Sequence, residues 1–305
     1  MKHHYLPQFY LREFTDPDVP QGHDPYVWVY SLAKRVWRKR APHNVAAESD
    51  YYAFTDDTGD KSHEVEKMLS QMESIIARVV REKILKQQPL DDEERATVAT
   101  SVVLMWARVP AQHKHIGKFM SEVAQSILQV MHQVHMQDPE TLEAFKRDYR
   151  QKTGKHDLDD LRPEHLDPTT YEIRTTRPAA IGISFSVVGD CARIIAEMGW
   201  TFLVSQPPDY FITSDYPFSM LDPTNKNQIY GHGLAFRNVE VSLPLTNHLA
   251  FFAGWQSTGT RWLPASQQIV RQVNLRSMLS ASRFLIAPKP DFPGADKLPS
   301  ATAEK

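Results

Sequence analysis

The chain has 305 residues, 35 Lys and Arg against 37 Asp and Glu, and a formal net charge of −2. That length suits one large domain or two lobes, and the balanced charge excludes a global bias toward nucleic acid or anionic membrane while leaving room for a local basic groove. The lone cysteine, Cys191, excludes an internal disulfide framework, and with no apolar run of 18 residues and no leader expected, the chain reads as a cytoplasmic protein without a membrane segment.

The first fourteen residues are unusually apolar for a chain end, carrying His3 and His4 among Tyr5, Leu6, Phe9, Tyr10, Leu11 and Phe14. Chain ends are ordinarily polar and loosely held, so this one is expected to be buried with its two imidazoles. Residues 26–30 and 35–39 predict a β-hairpin, and 50–54 a third strand. From Ser62 the apolar residues Val65, Met68, Leu69, Met72, Ile75, Ile76, Val79, Val80 and Ile84 recur every three or four positions. That period predicts a long amphipathic helix ending before Pro89. Acidic residues 91–94 complement the dipole of the next helix, which runs apolar to Arg108. Helices over 111–136 and 139–152 follow, then a connection over 153–168.

The second half predicts a helix over 178–198 stopped by Gly199, strands at 200–205, 210–214, 239–243 and 248–253, a helix over 265–282 and a closing strand at 283–287. A Pro-rich tail from Pro288 is expected to be disordered over 289–305. The fold class is α+β, a central bundle of long helices flanked by an N-terminal β-hairpin and a C-terminal, mostly antiparallel sheet. One domain over 1–288 is expected, with lobes at 1–152 and 169–288.

Several residues carry chemistry by type and place. His3 and His4 are adjacent, so on an extended chain their side chains point to opposite faces and a single metal does not take both. Either can serve as acid, base or ligand; the bland alternative is two satisfied polar groups. Glu66 and Glu73 lie seven apart on one helical face, suited to a divalent ion or to divided acid and base roles, or simply to a solvated helix edge. Arg108 closes an apolar helix, where a buried guanidinium needs an anion, either a structural carboxylate or a substrate phosphate. With His113 it also satisfies an R-x4-H pattern resembling HEPN-type ribonucleases, though Pro110 falls between the two. Asp215 sits where an apolar strand opens into a loop, a favoured place for a catalytic group and equally good turn chemistry before Pro217. His132 and His135, at i and i+3, form a weaker pair. The phosphate-loop, nucleophile-elbow, zinc-protease and zinc-cysteine signatures are absent.

In order, His3 to Phe14, Pro42-His-Asn-Val-Ala-Ala-Glu48, Glu66 to Glu73, Arg108-Val-Pro110, Phe211-Ile-Thr-Ser-Asp-Tyr-Pro217, Ser242-Leu-Pro-Leu245 and Asn274 resemble the bacterial family catalogued as domain of unknown function 4238. The resemblance covers nearly the whole chain. It implies no reaction; it implies that His3, His4, Asn44, Glu48, Glu66, Glu73, Arg108, Asp215 and Asn274 match the family's polar positions.

Two functions are expected from these residues. One is a phosphodiester-hydrolysing, nuclease-like enzyme, with His3, His4, Glu66, Glu73 and Asp215 catalytic, Arg108, Asn44 and Asn274 holding substrate, and a nucleic acid or small anion as partner. A divalent metal is compatible with it, as is a toxin or defence role. The other is a non-catalytic ligand- or partner-binding protein or sensor whose polar cluster is structural, with His4–Asp215 and Arg108–Glu73 as buried polar pairs.

Overall fold

The computed structural model describes residues 2–55, 61–133, 138–168, 170–224 and 233–298. It has the expected α+β class. The residues divide into two compact units, one made of the chain up to Gln112 together with the chain from Ser184, the other of His113–Ile183. That division differs from lobes at 1–152 and 169–288, because the two chain ends belong to one unit.

In the larger unit, β1 (Lys2–His4) is followed by the short helix α1 (Gln8–Arg12), the hairpin β2 (Val27–Ser31) and β3 (Val36–Arg40), and β4 (Ala47–Ser49). β1 pairs antiparallel with β4, setting His3 opposite Glu48. The strand expected at 50–54 is not formed as such. Asp50 adopts a left-handed φ of 50° and turns the chain, and only Phe54–Thr55 (β5) pairs, with Lys61–Ser62 (β6).

The periodic stretch after Ser62 forms α2 (Glu64–Val79), which continues as a π-turn over Val80–Ile84 and stops short of Pro89. α3 (Asp92–Ala107) opens with a capping box: Asp91 Oδ1 accepts the Glu94 N–H at 2.8 Å and Glu94 accepts the Asp91 N–H at 3.0 Å. Two of the orphan donors at the helix start are thereby satisfied. The C-terminal part of α3 is largely buried, including Val98, Val102, Val103 and Met105.

The smaller unit holds most of α4 (Pro110–Met131), α5 (Pro139–Thr153) and the start of α6 (Arg177–Ser186). Asp138 caps α5 by accepting the Thr141 N–H at 2.9 Å. His135, half of the weaker histidine pair, lies outside the described residues.

The helix expected over 178–198 is two, α6 and α7 (Val188–Glu197), broken at Val187. Together Arg177–Glu197 form a stretch of 21 residues that contains an 18-residue window of mean hydropathy 1.6, enough by length and composition alone to cross a membrane. Asp190 and Arg193 interrupt it, so it is not an unbroken apolar run of that length. The apolar side of α7 has a use within the unit, where it buries Val188, Ala192 and Ile195.

Beyond it lie β7 (Gly199–Val204), β8 (Thr213–Ser214), β9 (Ser219–Leu221), β10 (Glu240–Pro244), β11 (Leu249–Gly254), β12 (Thr260–Pro264), α8 (Gln267–Ser280) and β13 (Phe284–Ala287). Only the end of the strand expected at 210–214 pairs, and β9 and β12 are additions. A five-stranded sheet has the order β12-β7-β11-β10-β9, antiparallel except for the β12–β7 pair. Gly199 is required by close approach: a Cβ there would lie 2.1 Å from the Ser257 carbonyl oxygen.

The N-terminal hairpin does not stand apart. It joins the C-terminal strands in one four-stranded sheet of order β3-β2-β13-β8, with Ile286 opposite Val29. Under this sheet Tyr30, Ile212, Leu285 and Ala287 bury a cluster that also takes in Phe292, only 5% exposed. The tail is therefore packed at least to Leu298, against the expectation of disorder from 289, because an aromatic ring in the Pro-rich segment fits beside Trp37, with ring centroids 6.2 Å apart. Residues 299–305 lie outside the described residues. Phe292→Ala is expected to cost about 3–5 kcal/mol in urea unfolding; a loss below about 1 kcal/mol would show that the tail does not contribute to the core.

Candidate functional site

His3 is the innermost group of the site. Strand alternation leaves Lys2 exposed, buries His3 completely and half-buries His4. The turn after β4 then brings the Tyr52 backbone N–H to His3 Nδ1 at 3.0 Å. An amide N–H can only donate, so His3 Nδ1 is an acceptor and, in the neutral ring, the proton sits on Nε2. That nitrogen lies 3.2 Å from Nδ1 of His63, the residue just before α2. His3 Nε2–H therefore donates to His63 Nδ1, and His63 in turn carries its proton on Nε2. One backbone amide orders both tautomers.

Asp50 completes this group: its carboxylate and the two imidazoles offer atoms all within 4.8 Å of one another. Lys61 Nζ lies 2.8 Å from Asp50 Oδ2, and that hydrogen bond holds the carboxyl well below the usual range. Burial, then the neighbouring His63, pushes the His3 pKa down. The spacing would suit a divalent ion, but the donor set does not. A neutral imidazole has one lone pair, and in His3 the Tyr52 amide occupies it; a metal-bound histidine instead donates from its second nitrogen. The trio fits a proton-ordered chain.

A second polar group lies behind it. Arg108 caps the end of α3 with its side chain 2% exposed. It donates to Glu73 Oε1 at 2.8 Å and to the His4 carbonyl oxygen at 2.7 Å. Its own carbonyl accepts the Tyr52 hydroxyl, so Tyr52 links the two groups, backbone to His3 and side chain to Arg108. Arg108 Nε and Glu66 Oε2 are buried without a hydrogen-bond partner among the described residues. Burial raises the Glu66 pKa, with Arg108 opposing and Glu73 reinforcing the shift. Arg108 and Glu73 also line a narrow crevice walled by Tyr10, Leu69, Leu104 and Leu243, with about 30 Å³ of free room. That holds a water and no substrate group.

The remaining sequence-predicted residues lie in other parts of the fold. His4 Nε2 is 3.1 Å from the His43 carbonyl oxygen, to which it donates, and burial lowers its pKa. Asn44 is at the surface, accepting from Lys2 Nζ at 3.0 Å and bonding His43 Nε2 at 3.0 Å. Asp215 does not approach the histidines. Its buried carboxylate accepts the backbone N–H groups of Ser282 at 2.9 Å and Arg283 at 3.0 Å, tying down the turn into β13. Asn274 accepts the Ile212 N–H at 2.9 Å and donates to the Tyr210 and Pro293 carbonyls, both at 2.9 Å, which pins the tail. Glu48 pairs with Arg283 at 3.0 Å.

His3, Glu66, Glu73 and Arg108 are thus brought together, joined by Asp50, Tyr52 and His63, which sequence reasoning missed. His63 had a signal: it immediately precedes an acidic first helical turn, the capping position. Asp50 and Tyr52 had none, because their role depends on a turn that the β-rich Asp50-Tyr-Tyr-Ala-Phe54 run concealed.

Two measurements check this arrangement. Glu73→Ala leaves the Arg108 charge buried without its carboxylate and is expected to cost about 3 kcal/mol or more. For His3 the folded pKa lies below the unfolded value of about 6.5, so the unfolded chain takes up a proton that the folded chain refuses. Stability is full above that pH and falls as pH drops toward the lowered value. Glu66 acts oppositely, its penalty growing as pH rises from about 4.5 through its raised pKa. The urea midpoint of His3→Gln should therefore fall less between about pH 6.5 and 5 than that of the parent; equal falls would remove His3 as the source.

No curated protein and no solved structure matches the chain. A family model described as "Protein of unknown function (DUF4238)" matches residues 2–291. The match takes in β1 and its histidines, both helix glutamates, Arg108 and the β13 sheet, and the chain belongs to the DUF4238 family.

Proposed function

We propose that the protein is a phosphodiester-hydrolysing enzyme whose acid–base centre is His63 and Glu66, ordered by His3 and Asp50. The observation that carries the proposal is the 3.2 Å contact between His3 Nε2 and His63 Nδ1 with the Asp50 carboxylate beside it. Two carboxyl groups are driven in opposite directions, Asp50 beside the imidazole pair down and Glu66, three residues after His63 and beside Arg108, up. Such divergence is how a site separates its proton-transfer roles.

The roles follow from the protons. Glu66 lies one helical turn after His63, and its raised pKa makes its carboxylate a stronger base than an ordinary glutamate. It takes a proton from water as the water oxygen attacks phosphorus. His63 donates a hydrogen bond from Nε2–H to a phosphoryl oxygen, where charge develops. The P–O bond to the leaving group breaks, and the leaving oxygen takes its proton from Glu66 or solvent. His3 and Tyr52 are positioning residues, and the Asp50 carboxylate beside the imidazole pair favours the polarisation of His63 as it donates to the phosphoryl oxygen. Arg108 holds α2, α3 and β1 in register behind the site.

A non-catalytic, ligand- or partner-binding role is the second reading, supported by the complete pairing of Asp215 and Asn274 within the fold. Turnover decides between them. Purified protein is incubated with bis-p-nitrophenyl phosphate, single-stranded RNA and single-stranded DNA, with EDTA and separately with Mg²⁺, Mn²⁺ or Zn²⁺. Cleavage in EDTA is expected, with Glu66→Gln and His63→Ala lowering kcat by about 10²–10⁴-fold. The rate should rise with pH through the acid range as Glu66 ionises and His3 loses its proton. Turnover only with added metal would replace the proton-ordered reading with a metal centre. No turnover under any condition, or equal turnover in both variants, would favour the binding role.

A further inference from the structure

We infer that the edge strand β3 and the hollow beside it bind the phosphate backbone of a single-stranded nucleic acid. As a statement of substrate class, this rests on the hydrolase reading above; as a binding surface it stands on separate residues.

Residues 25–47 contain no Asp or Glu, yet hold Lys34, Arg35, Arg38, Lys39, Arg40 and His43, in a chain with net charge −2. All five Lys and Arg are exposed, and among the described residues none of them forms an ion pair. β3 is the edge of its sheet, and Arg38, Lys39 and Arg40 on it are exposed. Natural proteins charge an edge strand to prevent pairing with other chains. Here three of the five strand residues are cationic, and Lys34 and Arg35 in the preceding turn bring five cations within seven residues.

Register sorts these cations. Arg38 and Arg40 lie opposite Val29 and Val27 and share one face. Lys39 lies on the other, its Nζ 4.4 Å above the Tyr26 ring and 5.0 Å above Trp28. Beside the Arg40 face is an open hollow of about 510 Å³ lined by Tyr5, Val29, Arg40, Asn44, Arg283 and Phe284. Arg283 is already balanced by Glu48 at 3.0 Å and Asp215 at 3.6 Å, so the positive field comes from β3. Tyr5 lies two residues from His3 on the same chain segment, so the hollow borders the segment that carries the proposed centre.

The shape favours a repeating anion. Five strand residues at about 3.3 Å each extend roughly 16 Å, more than one phosphate occupies. A membrane surface is disfavoured by the apolar side of the same strand: Trp37 packs inward, its ring 5.2 Å from Tyr30, leaving no aromatic wedge to enter lipid.

The test uses the full chain and a fluorescein-labelled 15-nucleotide single-stranded RNA, read by anisotropy between 50 and 200 mM KCl, beside phosphatidylserine vesicles and inorganic phosphate. Lys34→Gln/Arg38→Gln/Arg40→Gln is compared with the parent, thermal melting confirming that it folds; Arg40→Gln is the milder second variant. The triple variant is expected to bind at least tenfold more weakly. Its log affinity against log salt should be shallower by about 2, roughly 0.7 per lost phosphate contact, and by about 0.7 for Arg40→Gln. Unchanged affinity and slope in both variants, no oligonucleotide binding by the parent at 50 mM KCl, or binding confined to vesicles or free phosphate would overturn the inference. The two proposals fail separately. Binding that depends on β3 without cleavage removes the enzyme and leaves the surface; cleavage with the parent's KM in the triple variant does the reverse.

Discussion

A guanidinium taken wholly out of water must be met by fixed partners, and in this protein that requirement organises the first hundred residues. Arg108 is drawn into the interior by the apolar run of α3 that it terminates. Its donors reach Glu73 on α2 and the His4 carbonyl on β1, and its carbonyl takes the Tyr52 hydroxyl. Four segments far apart in sequence are therefore held at one residue. Replacing such a pair by apolar groups of similar volume is often harmless to stability, whereas removing one member is not. The pair thus acts here chiefly as a geometric constraint, and the free Arg108 Nε and Glu66 Oε2 beside it mark the place where pairing is incomplete.

What that constraint positions is a chain of protons. With β1 held against β4 and Tyr52 beneath it, one amide N–H decides the tautomer of His3, and His3 decides that of His63. A site ordered from the backbone keeps its proton arrangement without needing a charged orienting group. Asp50 is then free to remain ionised beside Lys61 while Glu66, a turn further along α2, is kept reluctant to ionise by burial. Acidification disrupts the order at its root, since a doubly protonated His3 would set an N–H against the Tyr52 amide.

Legibility in the sequence followed the range of the forces involved. The amphipathic period of α2, the acidic first turn of α3 and the apolar opening strip each act within a few residues and could be read directly. Glu73 and Arg108 were recognisable as charged residues bordering apolar helices and as a buried pair, which the structure forms, whereas the pairing of His4 with Asp215 is not formed. Asp215 and Asn274 misled for a physical reason: a buried polar side chain that satisfies backbone groups has the same residue type and surroundings in sequence as one that serves a substrate. Asp50, Tyr52 and Phe292 misled in the opposite direction, because a β-rich run and a Pro-rich tail carry no local mark of the turn or the core that uses them.

The sequence by itself determined the α+β class, the burial of the N-terminal strip, the long helices and the family to which the chain belongs, because periodicity, capping and motif order are local properties. Tertiary structure alone decided that the N-terminal hairpin shares a sheet with the C-terminal strand, since strand partners are chosen by packing across the whole chain. It alone brought Asp50 and His63 to His3, because hydrogen-bond direction depends on where a distant backbone amide points.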